Sequence, residues 1–462
     1  MSTYLGTKGY TIYKECLDPK ELRKIREELN IRPKIHNSPV QPQPFKIYTE
    51  TKSLIHVPRY YGIDLYGPPE EVRNNKYTNI NIEFTGELRK YQLDIAELFI
   101  DKVGAGGGGL LEIPCGRGKT VIALNIISRL CVKTMVIVHK GFLMSQWTER
   151  IQQFIPGARI GKIQGPHIDI EDKDIVLVML QSASMRDYPE GVFNSFGLMV
   201  VDECHHISSE VFSRSLTKIT TTYSLGLSAT MERKDGLTSV IKMFLGEVLY
   251  KETREGDNSV IVKGVRYTTN DDEFNDVILD YKGNPQYSPM ISKICSSEPR
   301  TEFIVNTIEK EMLEYPNQHV LVLGHNKNML VAINDIVAAR GTFTSGFYLG
   351  GMKEDALKES ETKQIVIATY AMAAEALDIK SLTTLVLASP KTDVVQCVGR
   401  ILRTKHERPL VIDIIDPHDM FGRQWIKRRA YYRKNKYNIC ETGKDSSYTK
   451  PQEHIGKCII NI

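Results

Sequence analysis

The sequence has no membrane-length apolar run, no paired cysteines and little net charge, and each absence removes a class of protein. None of its apolar stretches approaches the ~18 residues needed to cross a bilayer. The opening Met-Ser-Thr-Tyr-Leu-Gly has no basic segment leading into an apolar core, so no secretory signal is expected. The eight cysteines stand singly, without a Cys-x-x-Cys pair, which argues against both a zinc site and a disulfide framework. Cys115 and Cys204 fall in short motif-like stretches, where free thiols suit a reducing compartment. A soluble, intracellular protein is expected. A net charge of +4 permits a nucleic-acid partner without arguing for one. The rest is ordinary: 41% hydrophobic and 25% charged residues belong to a globular protein, and 462 residues call for two or three domains.

The most informative stretch is Pro114-Cys115-Gly116-Arg117-Gly118-Lys119-Thr120. An apolar run, Leu110 to Ile113, precedes it and an amphipathic one, Val121 to Leu130, follows, which reads as strand, glycine loop, helix. Such a loop turns backbone N–H groups and the positive end of a helix toward one point, which suits phosphates. Lys119 would add a point charge and Thr120 a hydroxyl ligand for magnesium. The full pattern has a glycine where Ile113 stands, so a glycine turn with a chance lysine is the competing reading.

The chain around this loop falls into five stretches. Residues 1–84 read as a small accessory unit that could bind nucleic acid. It has a helix from Asp18 to Leu29 and an Arg59-Tyr60-Tyr61 run, which suits either stacking on bases or plugging into the next domain. Residues 85–245 alternate short apolar runs with helical stretches, the pattern of a doubly wound parallel sheet. Residues 246–300 read as a linker with an insertion and a hairpin near Asn258 to Tyr267. Residues 301–416 form a second alternating unit. Residues 417–462 are a basic, aromatic extension.

Other motifs must be weighed with the loop. Asp202-Glu203-Cys204-His205 follows the apolar run Leu198 to Val201, at the sheet edge where ligands of such folds bind. Asp202 would hold magnesium and Glu203 would orient and deprotonate water; alone, the pair could equally cap a helix. Ser228-Ala229-Thr230 follows the next apolar run and has hydroxyls that could bond the acidic stretch. Arg89 and Gln92 lie one helix upstream of the loop, where they could stack on and read an adenine. In the second unit Gln396 to Arg403 reads as a helix with Arg400 and Arg403 on one face. There they would serve as guanidiniums for phosphates held by another domain, or as surface ion-pair partners.

In this order, from Phe84 to Arg403, the motifs resemble those of a superfamily 2 DExH helicase. Leu88 to Gln92, Ser228 to Gly236 and Gly399 to Arg403 are similar to the XPB-like group, and the tail with Phe421, Gln424, Arg428, Tyr431 and Tyr432 looks like its poxviral and giant-virus transcript-release members. The resemblance implies two tandem RecA-like α/β domains with doubly wound parallel sheets, and ATP and Mg2+ as cofactors. It implies Arg89, Gln92, the loop from Pro114 to Thr120, Glu375 and Asp378 at ATP, with Thr120, Asp202 and Glu203 at the metal. Lys119, Glu203, Arg400 and Arg403 would be catalytic, and His205, Ser228, Ala229, Thr230 and Gln396 would couple hydrolysis to movement. Lys140, Gln146, Trp147, Gln181, Ser182 and Thr369 would face nucleic acid. Departures stand at Ala376, Lys380 and His139-Lys140, which leaves strand contacts around residues 139 and 376 open.

The tail from Arg423 to Lys436 carries seven basic residues and no acidic one, with Trp425, Tyr431 and Tyr432 interleaved. Trp425 and Tyr432 would stack on bases, or the aromatic side would pack on the second domain while the charges face water. The expectation is an ATP-driven translocase on nucleic acid, duplex DNA before RNA, with 3′-to-5′ polarity implied by the family and a role in transcription, repair or recombination. An ATP-switched clamp within a transcription or repair assembly is the alternative. No partner machinery is named by the sequence.

Overall fold

Short apolar runs separated by amphipathic stretches fold here into two open sheets, each flanked by helices. The computed structural model describes residues 2–33, 41–73, 76–104, 106–114, 116–189, 191–205, 209–231, 237–252, 256–375, 377 and 379–442. The chain divides into two compact units, Met1–Arg254 and Glu255–Ile462.

In the first unit eight strands form one sheet. Their spatial order is His167–Asp169, Ile160–Gln164, Ile175–Met179, Thr134–Val138, Leu198–Val201, Tyr223–Ser228, Gly107–Glu112 and Val248–Lys251. All neighbours are parallel except the edge strand His167–Asp169. The central strands are uniformly apolar because helices cover both faces. Their carboxyl ends point the same way, so the segments after Glu112, Val201 and Ser228 open at one edge, where folds of this kind bind ligands.

Residues 1–84 are not a separate body. A five-stranded sheet, ordered Thr49–Glu50, Leu54–Val57, Gly9–Tyr13, Thr3–Gly6 and Glu71–Val72, carries the helix Pro19–Glu28. Asp18 caps that helix by accepting the Lys20 N–H at 2.8 Å, as its sequence predicts. The inner side of this sheet shares one hydrophobic core with the α/β sheet: Tyr10, Ile12 and Ile55 lie in the same cluster as Met135, Ile137 and Met199. Arg59 donates to the carbonyls of Thr221 and Thr222 at 3.1 and 2.8 Å, and Tyr61 is buried with its hydroxyl on Glu28. The plug reading of Arg59-Tyr60-Tyr61 therefore holds over base stacking.

The second unit has seven parallel strands, ordered Ser345–Tyr348, Ile365–Thr369, Val320–Gly324, Thr384–Leu387, Leu410–Ile415, Ile261–Arg266 and Asn438–Thr442. Two expectations change here. The stretch 246–300 is not a linker with a hairpin: Val248–Lys251 completes the first sheet, and Ile261–Arg266 runs inside the second, paired on both sides. Weak apolar periodicity hid the strand Ile261–Arg266, whose Lys263 and Arg266 are paired with Glu311 and Glu441. The described part of the basic extension, residues 417–442, is built into this unit, for the helix Asp419–Lys434 packs on it and Asn438–Thr442 joins its sheet. No helix among the described residues is long and apolar enough to cross a membrane.

In the helix Asp419–Lys434 the buried positions are Phe421, Trp425, Arg428 and Tyr432, one stripe at helical spacing. Trp425 is 3% exposed and Tyr432 0%. A Cβ at Gly264 would lie 3.0 Å from the Trp425 ring, so the glycine makes room for the indole against the strand. Base stacking by Trp425 and Tyr432 is thereby overturned: neither ring has a face to offer. Trp425→Ala should destabilise the protein by about 3–5 kcal/mol in urea unfolding, as emptying an aromatic site in a core does. Trp425→Phe should cost much less. An unchanged unfolding midpoint in the alanine variant would contradict this packing.

Candidate nucleotide site

The loop after Glu112 leaves the sheet at its open edge. Gly116 and Gly118 have φ of 81° and 82°, a left-handed conformation that a side chain would strain, and Gly118 caps the helix Lys119–Leu130. A Cβ at Gly118 would fall 2.4 Å from Nε2 of Gln92. Around this turn the helix beginning at Lys90 acts as a brace. Tyr91 and Gln92 both donate to the Arg117 carbonyl at 3.1 Å, while the Gln92 side-chain Oε1 accepts the Arg89 N–H at 3.0 Å. The Arg117 guanidinium lies over the Tyr91 ring at 4.0 Å and bonds Glu252 at 2.7 Å, so it is drawn outward while its peptide stays in the loop. Gln92 is buried with both amide ends engaged in this brace. Cys115 lies outside the described residues.

Lys119, at the start of the helix, reaches Glu203 with Nζ 2.7 Å from Oε1. Glu203 has φ of 48°, rare for a residue with a side chain and a source of local strain where a function holds it. Its N–H donates to Asp202 Oδ1 at 2.9 Å, and Asp202 Oδ2 accepts the Trp147 indole N–H at 2.8 Å. Burial raises the Asp202 pKa above the usual carboxylate range, and the neighbouring Glu203 adds to it while Lys119 opposes both. Burial likewise pushes the Cys204 thiol far up, so it is a neutral core group and no nucleophile.

The next link is His205. The Ser228 hydroxyl donates to the Thr230 carbonyl at 2.5 Å and accepts the Thr230 N–H at 3.2 Å. With its one proton spent, Ser228 must accept from Nδ1 of His205, 2.6 Å away. The same Nδ1 lies 3.4 Å from Glu203 Oε2. Lys119 is bonded to Glu203, and His205 to Ser228 and Ser228 to Thr230; the 3.4 Å approach of His205 to Glu203 sets these two groups side by side along the sheet edge, with Ala229 buried beside them. The Thr120 hydroxyl and the Asp202 and Glu203 carboxylates are hard oxygen donors in this region. No cluster of three or more His, Cys, Asp or Glu among the described residues forms a cage for a metal. That donor set suits magnesium, which takes one or two carboxylates and completes its shell with water and phosphate.

The remaining predicted residues divide. Trp147 is 1% exposed, so it cannot stack on a strand; it faces the core and steadies Asp202. Ser182 is buried with its oxygen accepting the Gly165 N–H at 2.8 Å. Both nucleic-acid assignments are corrected by burial. Exposed Gln181 donates to the His139 carbonyl at 2.9 Å, and half-buried Lys140 and Gln146 lie at the start of and within the helix Gly141–Phe154. In the second unit Thr369 ends its strand, half-buried, and Gln396 lies half-buried on the helix Val395–Arg400. Arg400 is buried and donates to the Leu377 carbonyl at 2.7 Å. The helix ends at Arg400, so Arg403 stands in the following turn and not on a shared helical face. Both guanidiniums still act on Tyr348, whose hydroxyl is pushed up to about 12 by burial and Glu361 against their pull. The Glu375 side chain and all of Asp378, like His206 and residues 232–236, lie outside the described residues.

With this geometry in place the likeness to known proteins can be read. Residues 85–233 match the family model described as "Type III restriction enzyme, res subunit". Across 447 residues the chain is 34% identical to "Putative ATP-dependent RNA helicase L396" of Acanthamoeba polyphaga mimivirus, covering 93% of this chain and 85% of that protein. It is 33% identical over 172 residues to "DNA 3'-5' translocase XPB2" of Sulfurisphaera tokodaii, 37% of this chain and 36% of that one. The solved helicase domain of Pyrococcus furiosus Hef shares the fold, with a TM-score of 0.50 at 13% identity over 74% of this chain and 98% of that one. The chain belongs to the same helicase family as the mimivirus protein. It is an ATP-hydrolysing enzyme with tandem RecA-like α/β architecture.

Trp147→Phe keeps the ring packing and removes the indole N–H from Asp202. ATP turnover should fall roughly tenfold, the worth of one hydrogen bond to a charged group, with nucleic-acid affinity unchanged. Lost affinity at an unchanged turnover rate would restore the strand-contact reading.

Proposed function

We propose that the protein uses ATP hydrolysis to translocate along duplex DNA in the 3′-to-5′ direction. The observation that carries the hydrolytic part is the row of Lys119, Glu203, His205, Ser228 and Thr230 along the sheet edge, beside a loop whose glycines have a left-handed backbone. The DNA substrate and polarity are supported by the similarity to the Sulfurisphaera translocase, whose name carries both. A second reading, translocation on RNA, is favoured by the name of the mimivirus relative.

In this reading the loop amides and Lys119 bind the phosphates of ATP, and Arg89 lies toward the base, while Gln92, with both amide ends engaged, braces the loop in place of the adenine contact expected of it. Thr120, Asp202 and Glu203 would hold Mg2+, which when bound offsets phosphate charge. Lys119 leaves Glu203 for the phosphates, and the freed carboxylate orients a water and takes its proton. His205, 3.4 Å from Glu203 and bonded to Ser228, senses the change in charge at Glu203 and passes it to the segment 228–230. Arg400 and Arg403 stabilise charge developing on the outgoing phosphate, and Gln396 supports them. Lys140, Gln146, Gln181 and Thr369 contact the nucleic-acid backbone.

Lys119→Ala and Arg400→Ala should each lower ATP turnover by about a thousandfold or more while circular dichroism stays unchanged. Turnover titrated in parallel with duplex DNA, single-stranded DNA and RNA should rise most with duplex DNA. A normal rate in either variant would show that the hydrolytic groups lie elsewhere, and stimulation by RNA alone would replace the DNA reading.

A further inference from the structure

The segment between the strand Thr384–Leu387 and the helix Val395–Arg400 is held in an unusual way. Four successive carbonyls each accept from a different side chain. Ala388 accepts from Arg300 at 3.0 Å, Ser389 from the Tyr370 hydroxyl at 2.5 Å, Pro390 from the Tyr287 hydroxyl at 3.4 Å and Lys391 from Arg428 at 2.7 Å. The donors come from four separate helices, and a connection of this kind ordinarily leaves such groups to water. The two arginines are fixed in turn. Arg300 pairs with Asp416 through two bonds of 2.5 and 2.8 Å, and Arg428 with Asp413 through two of 2.7 Å, with the Tyr432 hydroxyl on Asp413 at 2.9 Å.

All four charged groups are buried. Burial works against both guanidinium charges, yet the facing aspartates hold their pKa values above the ordinary range. Stability alone is a weak reason for such pairs, since well-packed apolar residues of similar volume serve as well or better. A guanidinium differs from an apolar side chain in having a planar fork, which can grip a carboxylate and still aim an N–H in a fixed direction. Here both forks aim at the same four-residue connection, and that connection leads directly into the helix bearing Gln396 and Arg400.

We propose that Arg300 and Arg428 are positioning residues for ATP hydrolysis, each anchored on a buried aspartate and together fixing the 388–391 connection so that Arg400 is held in its working place. The inference rests on the role proposed above for Arg400. It also explains why the C-terminal helix is docked on this unit, since Arg428 carries the last of the four contacts.

Full-length protein is used for the test, and the quantities read are kcat, the KM for ATP and the melting temperature. In Asp413→Leu/Arg428→Met the pair is replaced by apolar groups while the Tyr432 hydroxyl and the Lys391 carbonyl lose a partner, so the melting temperature should fall by no more than about ten degrees. The kcat should fall roughly ten- to hundredfold, the effect of a displacement of about 1 Å, with KM little changed. Arg428→Lys should not rescue the rate, because one ammonium cannot grip Asp413 bidentately and reach Lys391 as well. Wild-type kcat in the double variant, alongside an inactive Arg400→Ala, would overturn this inference and leave the hydrolytic reading standing. If Arg400→Ala itself keeps its rate, the underlying role falls and the inference with it. Should the double variant not fold, Tyr370→Phe, which removes one hydroxyl and keeps the ring, decides: a several-fold lower kcat at constant KM supports positioning, and an unchanged kcat overturns it.

Discussion

The contact between the Lys119 ammonium and the Glu203 carboxylate, 2.7 Å long, is the interaction on which the proposed chemistry of the first unit turns. Both side chains are largely withdrawn from water, so the attraction is screened far less than at a surface. Glu203 reaches the contact from a left-handed backbone conformation, and the surroundings bear the cost of that strain. Asp202 accepts its N–H, Trp147 steadies Asp202, and His205 lies against its second oxygen. In the proposed mechanism a phosphate group competes with Glu203 for Lys119. The arrangement is therefore a charge held ready, with its carboxylate partner occupied until nucleotide arrives.

The second unit is organised around buried charge in a different way. Its strand Leu410–Ile415 carries Asp413, Asp416 follows directly after it, and two arginines from distant helices converge on this pair of carboxylates. Desolvating such pairs is expensive, and their direction, more than their energy, distinguishes them from apolar packing. In the proposed arrangement the helices Glu298–Glu314 and Asp419–Lys434 are part of the frame that holds the arginine-bearing helix.

Much of this was legible in the residues. Uniform apolar runs ending at Glu112, Val201 and Ser228 announced strands buried on both faces, and the motifs after them met at one edge as the parallel topology requires. What the sequence concealed was what each aromatic faces. Trp147, Trp425 and Tyr432 sit among basic or polar neighbours, a pattern that fits a strand-binding surface and a half-charged helix equally; only burial separates them. The stretch 246–300 was obscured for another reason. Ile261–Arg266 alternates apolar residues with Lys263 and Arg266, and its charges are neutralised by Glu311 and Glu441, residues far along the chain that no local pattern links to it. The four-carbonyl clamp is of the same kind, since Arg300 and Asp416 are 116 residues apart.

The central claim is that Lys119 exchanges Glu203 for phosphate, and the equilibrium affinity of a non-hydrolysable ATP analogue for Glu203→Gln tests it most directly. Removing the carboxylate charge frees the ammonium, so the variant should bind the analogue more tightly than the wild type. The expected gain is on the order of tenfold, equivalent to about 1.4 kcal/mol, although the variant hydrolyses ATP poorly. Equal or weaker binding would contradict the exchange and reduce the Lys119–Glu203 contact to a fixed structural ion pair.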